Sequence, residues 1–229
     1  MAKMKWHQTG EREIEAGVSE VALFPISSGS SYGTGVAWNG VTAINENPSG
    51  ADITDLYADN IKYASLQAAE KFGFTIEAFT YPDEWAECDG SKEVVNGVFI
   101  GQQPRKAFGL VYKTQIGDEA HPGMDKGYKL HIIYNCVASP SGRSYTTIND
   151  NPDAISFSWE ANSTPVPVTD HKATSEITID STAFTTTDQQ TALTNLLNTI
   201  YGTDAGSGTS ATDPTFPTPD QVIAALTVT

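Results

Sequence analysis

Residues Leu56–Gly90 read LYADNIKYASLQAAEKFGFTIEAFTYPDEWAECDG, and this stretch decides the fold class. Asp59-Asn60 is a turn dipeptide between two runs of strand-type residues, Leu56-Tyr57-Ala58 and Ile61-Lys62-Tyr63-Ala64. Phe74 to Tyr81 then alternates apolar and polar residues, the period-2 pattern of a half-buried strand. Pro82 follows, with Asp83, Glu84 and Trp85 behind it. A proline at a first helical position with carboxylates in the first turn suits a helix start, where amides lack partners and the dipole is positive. Gly90 would stop that helix about two turns later.

Similar signals extend outward in both directions. Val36-Ala37-Trp38 and Val41-Thr42-Ala43-Ile44 flank Asn39-Gly40, which predicts a tight hairpin. Ala107–Ile116 and Tyr128–Val137 are long strand candidates joined by a segment too long for a tight hairpin. Ile155–Glu160 and Ser175–Asp180 alternate strictly, with Asn162–Pro167 between them. Strands at this spacing point to a sandwich or barrel. A late helix is expected over Gln189–Tyr201, capped by Thr187 or Asp188. Its apolar stripe is Leu193, Leu196, Leu197, Ile200 and Tyr201, and Gly202 ends it. Residues 1–35 read as an extended N-terminal arm with one apolar patch, Val21–Ile26, suited to docking on a neighbour. The globular domain is expected over 36–202, followed over 203–229 by a linker and C-terminal arm.

Charge excludes one class of function. The net charge is −15, from 13 basic and 28 acidic residues. Residues 44–93 hold 11 acids and 3 bases, 94–172 hold seven of each, and six carboxylates but no Lys or Arg follow Lys172. A protein that grips phosphates needs the opposite balance, so stable nucleic-acid binding is not expected. The chain has no apolar run near the ~20 residues of a membrane span. Its first 17 residues lack the apolar core of a secretory signal. Cys88 and Cys136 read as buried reduced thiols.

No enzyme constellation is visible. Asp118, Glu119, His121 and Asp125 lie close in sequence, but without the regular spacing of a zinc or calcium site, so they read as a solvated loop. His7 and His131 stand apart from them, as does His171. Gly33-Thr34-Gly35 is half a glycine fingerprint without the helix and acid that give it meaning. Trp6, Trp38, Trp85 and Trp159 are spread along the chain, as core residues are, rather than gathered into a sugar-stacking platform. No metal or cofactor is expected.

The wording YADN and TYPDEW, the hairpin-strand-helix order and the proline-acid helix start in PTFPTPDQVIAAL (Pro214–Leu226) resemble the major tail protein of long-tailed bacteriophages, the subunit of the tail tube. The resemblance implies a mainly β fold: a β-sandwich or barrel of two roughly orthogonal antiparallel sheets with one short flanking helix (Pro82, Asp83, Glu84, Trp85) and a C-terminal helix. Six subunits would close a ring whose inner sheets fuse into a continuous β-barrel, and the rings would stack. Implied partners are further copies of the chain, the tape-measure, distal tail and tail terminator proteins, and double-stranded DNA in transit only, without a membrane. The product would reside in the virion after assembly in the host cytoplasm and would serve genome ejection. Residues 1–35, the Ile116–Tyr128 loop and the Gly202–Thr229 tail would connect subunits and rings.

Two sets of side chains become candidates on this reading. Glu46, Asp52, Asp55, Asp59 and Glu77 would line the channel, where a like-charged wall keeps DNA mobile. Arg105, Lys106, Lys113, Lys126 and Lys129 would meet the acidic region of the next ring. The main rival is an immunoglobulin-like binding module, a virion decoration or adhesin, which shares the β-sandwich but acts as a monomer.

Overall fold

The computed structural model describes residues 3–8, 10–29, 31–147, 154–206 and 210–227. The chain is mainly β, 47% strand against 14% helix, with one large antiparallel sheet. In chain order the strands are β1 (Ile14–Ser28), β2 (Ser31–Tyr32), β3 (Val36–Ala37), β4 (Val41–Glu46), β5 (Ser49–Gly50), β6 (Ile53–Ala58), β7 (Ile61–Gln67) and β8 (Glu70–Ala78). There follow β9 (Lys92–Val95), β10 (Val98–Ile100), β11 (Phe108–Gly117), β12 (Gly127–Ala138), β13 (Phe157–Ser163), β14 (Val166–Val168), β15 (His171–Thr174) and β16 (Glu176–Asp180). The helices are α1 (Trp85–Cys88), α2 (Thr187–Tyr201) and α3 (Pro219–Leu226). No helix of the described residues is long and apolar enough to cross a membrane.

The sheet runs β2-β1-β11-β12-β13-β8-β4, with β3 on β1, β16 on β12 and β5 on β8. It forks at β12. Lys129–Ile133 pair with β16, whereas Cys136–Ala138 pair with β13. Asn135 sits at the fork with φ 46, a left-handed conformation that Asn tolerates better than most residues.

Strand alternation divides the interior between two faces of this sheet. Leu23, Leu110, Tyr112 and Ile133 enter one core, whereas Ala22, Phe24, Val111, Leu130, Ile132 and Tyr134 enter the other. The first core holds Trp38, Trp85 and Trp159, with ring centroids 4.6 to 5.6 Å apart. These three tryptophans are core residues as expected, and Trp6 is exposed. The second core lies under α2, whose Leu193, Leu196 and Ile200 are buried, and under Phe216 and Val222.

Both long strand candidates form strands, and β11 pairs with β12 from Phe108–Cys136 to Ile116–Gly127 despite the long connection. The Asp59-Asn60 turn joins β6 to β7, both residues having the positive φ of a type I′ hairpin. α2 begins two residues earlier than expected, at Thr187. Thr186 is the cap, in a reciprocal box with Gln189, so neither Thr187 nor Asp188 caps it.

Other expectations need correction. Asn39-Gly40 does not make a hairpin: β3 pairs with β1 and β4 pairs with β8. Burial of Trp38 draws its run onto β1, where the Trp38 amide donates to the Val21 carbonyl at 2.8 Å. Within residues 1–35, Ile14–Ser28 is not an arm, since it pairs along β11 with Leu23 and Phe24 fully buried. In the C-terminal segment, Phe216 and Val222 pack into the chain's own second core. Pro82, Asp83 and Glu84 precede α1 in a turn, and Trp85 is the first helical residue, because its buried indole anchors the helix under the sheet. Parts of both terminal segments (1–2, 9, 30, 207–209 and 228–229) lie outside the described residues.

Two hairpins were not anticipated. β9 and β10 flank Asn96-Gly97, and β14 and β15 flank Thr169-Asp170.

Candidate functional site

On β12, Leu130 and Ile132 face the second core, which turns His131 to the opposite side of the sheet. There it lines an open cleft of about 720 Å³ with Glu15, Glu46, Glu77, Tyr112 and Thr114. The imidazole is only 8% exposed and stacks parallel on the Tyr112 ring, centroids 4.6 Å apart and planes 4° from parallel. Its Nδ1 lies 3.1 Å from Glu176 Oε1 and 3.8 Å from Glu46 Oε1, and its Nε2 lies 3.2 Å from Thr114 Oγ1.

Each carboxylate around this ring is itself held. The Tyr112 hydroxyl donates to Glu46 Oε1, and the Thr178 hydroxyl donates to Glu176 Oε1 at 2.9 Å. Thr114 Oγ1 and Lys129 Nζ donate to the two oxygens of Glu15, each at 2.5 Å. Burial works to raise the Glu15 carboxyl, but those hydrogen bonds outweigh it and hold the group below its ordinary value. Burial, reinforced by the bond to Glu46, pushes the Tyr112 phenol far up, so it stays protonated and acts as a donor. The five strands β1, β4, β11, β12 and β16 thus converge polar groups on one buried imidazole. Sequence spacing concealed this, because its members span residues 15 to 176. The one available signal was a histidine inside the apolar run Leu130–Ile133.

The channel-lining candidates fall into two groups. Glu46 and Glu77 share this cleft, with Asn45 Nδ2 donating to Glu77 at 3.4 Å. Asp52, Asp55 and Asp59 belong to the β6–β7 hairpin, at its base, in β6 and at its tip, where Asp55 is paired with Lys62 at 2.8 Å.

Each of the five basic candidates has a carboxylate partner in its own chain. Lys106 pairs with Glu87, Lys113 with Glu20 at 2.6 Å, Lys126 with Glu13 and Asp118, and Lys129 with Glu15. Arg105 donates to the Asp89 carbonyl at 2.9 Å and lies 4.0 Å from its carboxylate.

The 118–125 loop is built around an internal ion pair. Asp118 accepts from the amides of Ala120 and His121, from His121 Nδ1 and from Lys126 Nζ, all within 2.9 Å. Lys126, then His121, hold its carboxyl well below the usual range. Glu119 accepts from the Gly10 amide at 2.7 Å, so the loop engages the chain's own N-terminal segment.

The second notable surface is apolar. In β6 and β7, Ile53, Leu56, Tyr57, Ile61, Tyr63 and Leu66 are all exposed, Tyr63 at 76%. Alternation sets Ile53 and Tyr57 on one face of β6 and Leu56 on the other, so both faces carry apolar side chains. The hairpin continues a β-ribbon rooted in the sheet, where β4 pairs with Phe74–Ala78 and β5 with Glu70–Lys71 of β8. The β9–β10 hairpin likewise exposes Val94, Val95, Val98, Phe99 and Ile100.

No protein-family model matches this chain, and no curated protein matches it in sequence. Function is therefore read from geometry and chemistry.

Proposed function

We propose that this chain is a structural, non-catalytic subunit that polymerises through its hairpins, of the kind that builds the tail tube of long-tailed bacteriophages. The observation that carries the reading is the β6–β7 hairpin, a two-stranded ribbon with apolar side chains on both faces and no buried residue. An isolated two-stranded hairpin is marginally stable in water, and an exposed apolar edge invites pairing with other chains. A hairpin of this composition is completed by a neighbouring copy.

Magnitudes favour closed assembly over a single contact. Full burial of each large apolar side chain contributes roughly 1.5–3 kcal/mol. Six such side chains give a gross gain on the order of 10 kcal/mol, comparable with the ~4–15 kcal/mol cost of association. One docked hairpin is therefore marginal. A ring, in which every copy both offers and receives a hairpin, removes all the open contacts together. Six copies per ring, two roughly orthogonal layers within each subunit and a continuous inner barrel belong to this proposal through the resemblance.

The charge of −15 agrees with a channel that DNA traverses without adhering. In this proposal Glu46 and Glu77, with Glu15 beside them, supply an acidic wall, and the hairpin acids follow it. The tape-measure, distal tail and terminator proteins would set tube length and ends within the virion.

Negative-stain microscopy of the concentrated full chain tests the reading, with rings or hollow tubes expected. A compact monomer persisting at high concentration and across ionic strengths would overturn it in favour of a monomeric binding module.

A further inference from the structure

We infer that Glu46, His131 and Glu176 form a binding site for a divalent transition-metal ion of the zinc class. The inference is independent of the tube reading. One ligand atom from each residue lies within 4.8 Å of the other two. Zinc binds His nitrogen and carboxylate oxygen at about 2.0–2.2 Å, which sets neighbouring tetrahedral donors roughly 3.4 Å apart. The observed separations from Nδ1, 3.1 Å to Glu176 and 3.8 Å to Glu46, bracket that value. Glu46 is the more exposed of the two carboxylates, and a shift of a few tenths of an ångström would bring it to that separation.

The surroundings orient the imidazole as a ligand. A metal-bound histidine usually donates its other N–H to a polar partner, which fixes ring and tautomer. Here the Thr114 hydroxyl passes its own proton to Glu15, leaving its oxygen free to accept from His131 Nε2–H at 3.2 Å. That arrangement turns the Nδ1 lone pair toward the oxygens of Glu176 and Glu46, with the Thr178 hydroxyl 3.4 Å away, and a cation held between nitrogen and carboxylates would satisfy all three groups. Tyr112 and Thr178 position the two carboxylates by donating to the same Oε1 atoms, whose second lone pairs stay free for the ion, and Lys129 holds Glu15. A buried imidazole in the donor set suits zinc and its first-row neighbours, whereas calcium and magnesium prefer all-oxygen shells. The open cleft supplies an entry path and room for water on the remaining positions.

The test uses the full chain, stripped with EDTA and titrated with ZnCl2 by calorimetry at neutral pH, and with Co2+ followed by its visible ligand-field absorption. One equivalent is expected to bind. Glu46→Gln and His131→Asn should each weaken binding at least tenfold. Glu77→Gln, in the same cleft but outside the donor set, should leave it within twofold. Thr114→Val should weaken it about 10- to 100-fold although every ligand remains, as loss of an orienting partner does. Absence of saturable binding would overturn the inference. Binding that Glu46→Gln leaves within twofold would overturn it as adventitious surface binding. Should His131→Asn fail to fold, the exposed Glu46 side chain carries the test, with near-ultraviolet circular dichroism as the folding control.

Discussion

Replacing Phe216 with Ala should detach the C-terminal segment from an otherwise folded chain. Phe216 is 6% exposed and packs against Tyr32, Phe24 and Tyr134 at centroid separations of 4.2, 5.0 and 5.2 Å. Its ring also fills the space beside Gly109, where a Cβ on the glycine would come within 2.5 Å of it. Truncating a buried Phe to Ala costs about 3–5 kcal/mol in well-packed cores. The upper half of that range applies here, because three aromatic partners lose contacts worth about 0.5–1.5 kcal/mol each beyond area. The remaining buried residues of the segment, Pro217, Pro219 and Val222, are small. Residues 210–227 should therefore open before the sheet does. Limited proteolysis should cleave the variant within 203–218 while β1, β11 and β12 stay protected. Urea denaturation should show a lowered midpoint. A destabilisation below about 1 kcal/mol, with the wild-type cleavage pattern, would refute the assignment of this segment to the second core and restore it as a free arm.

Other consequences follow from single contacts. Thr186→Ala removes the α2 cap and should cost about 0.5–2 kcal/mol in urea denaturation. Thr187→Ala, inside the helix, should stay within about 0.5 kcal/mol, and the reverse order would show the cap misplaced. Asp118 has a folded-state pKa below its unfolded one, so its contribution is complete above about pH 4 and declines as pH falls toward the depressed value. Asp118→Asn should flatten the loss of stability as pH falls below about 4, measured by urea midpoints, and an unchanged acid limb would count against the Lys126 pairing. Burial pushes the Cys88 thiol up to about 12 and raises Cys136 well above its ordinary value. Ellman's reagent at pH 8 should label neither in the native protein and both after unfolding, whereas rapid native labelling would contradict their burial.

Local patterning revealed the strands and left their partners open. Alternation in Phe74–Ala78 marked a strand correctly because every second residue there is buried, whereas the two long central runs are apolar on both faces, each face entering a different core. Asn39-Gly40 misled because the turn geometry is local, whereas the pairing of its flanks is decided by where Trp38 is buried. Asn96-Gly97 carries the same hairpin signal and does join two strands. Val21–Ile26 looked like an arm because Gly, Ser and charged residues surround it. The pairing with β11 that makes it a central strand lies about 90 residues away in sequence. The cleft was hidden for a related reason. Glu15, Glu46, His131 and Glu176 belong to four strands, and only the fork in β12 brings them together.

The most direct test of hairpin-mediated assembly is sedimentation velocity of the full chain beside a Tyr57→Asp, Ile61→Asp double variant, over a range of concentration and salt. Both substitutions fall on exposed hairpin positions, so the monomer fold should survive, with unchanged near-ultraviolet circular dichroism. The wild type should sediment as rings or larger assemblies and the variant as a monomer. Equal sedimentation of the two, whether both remain monomers or both assemble, would contradict the account.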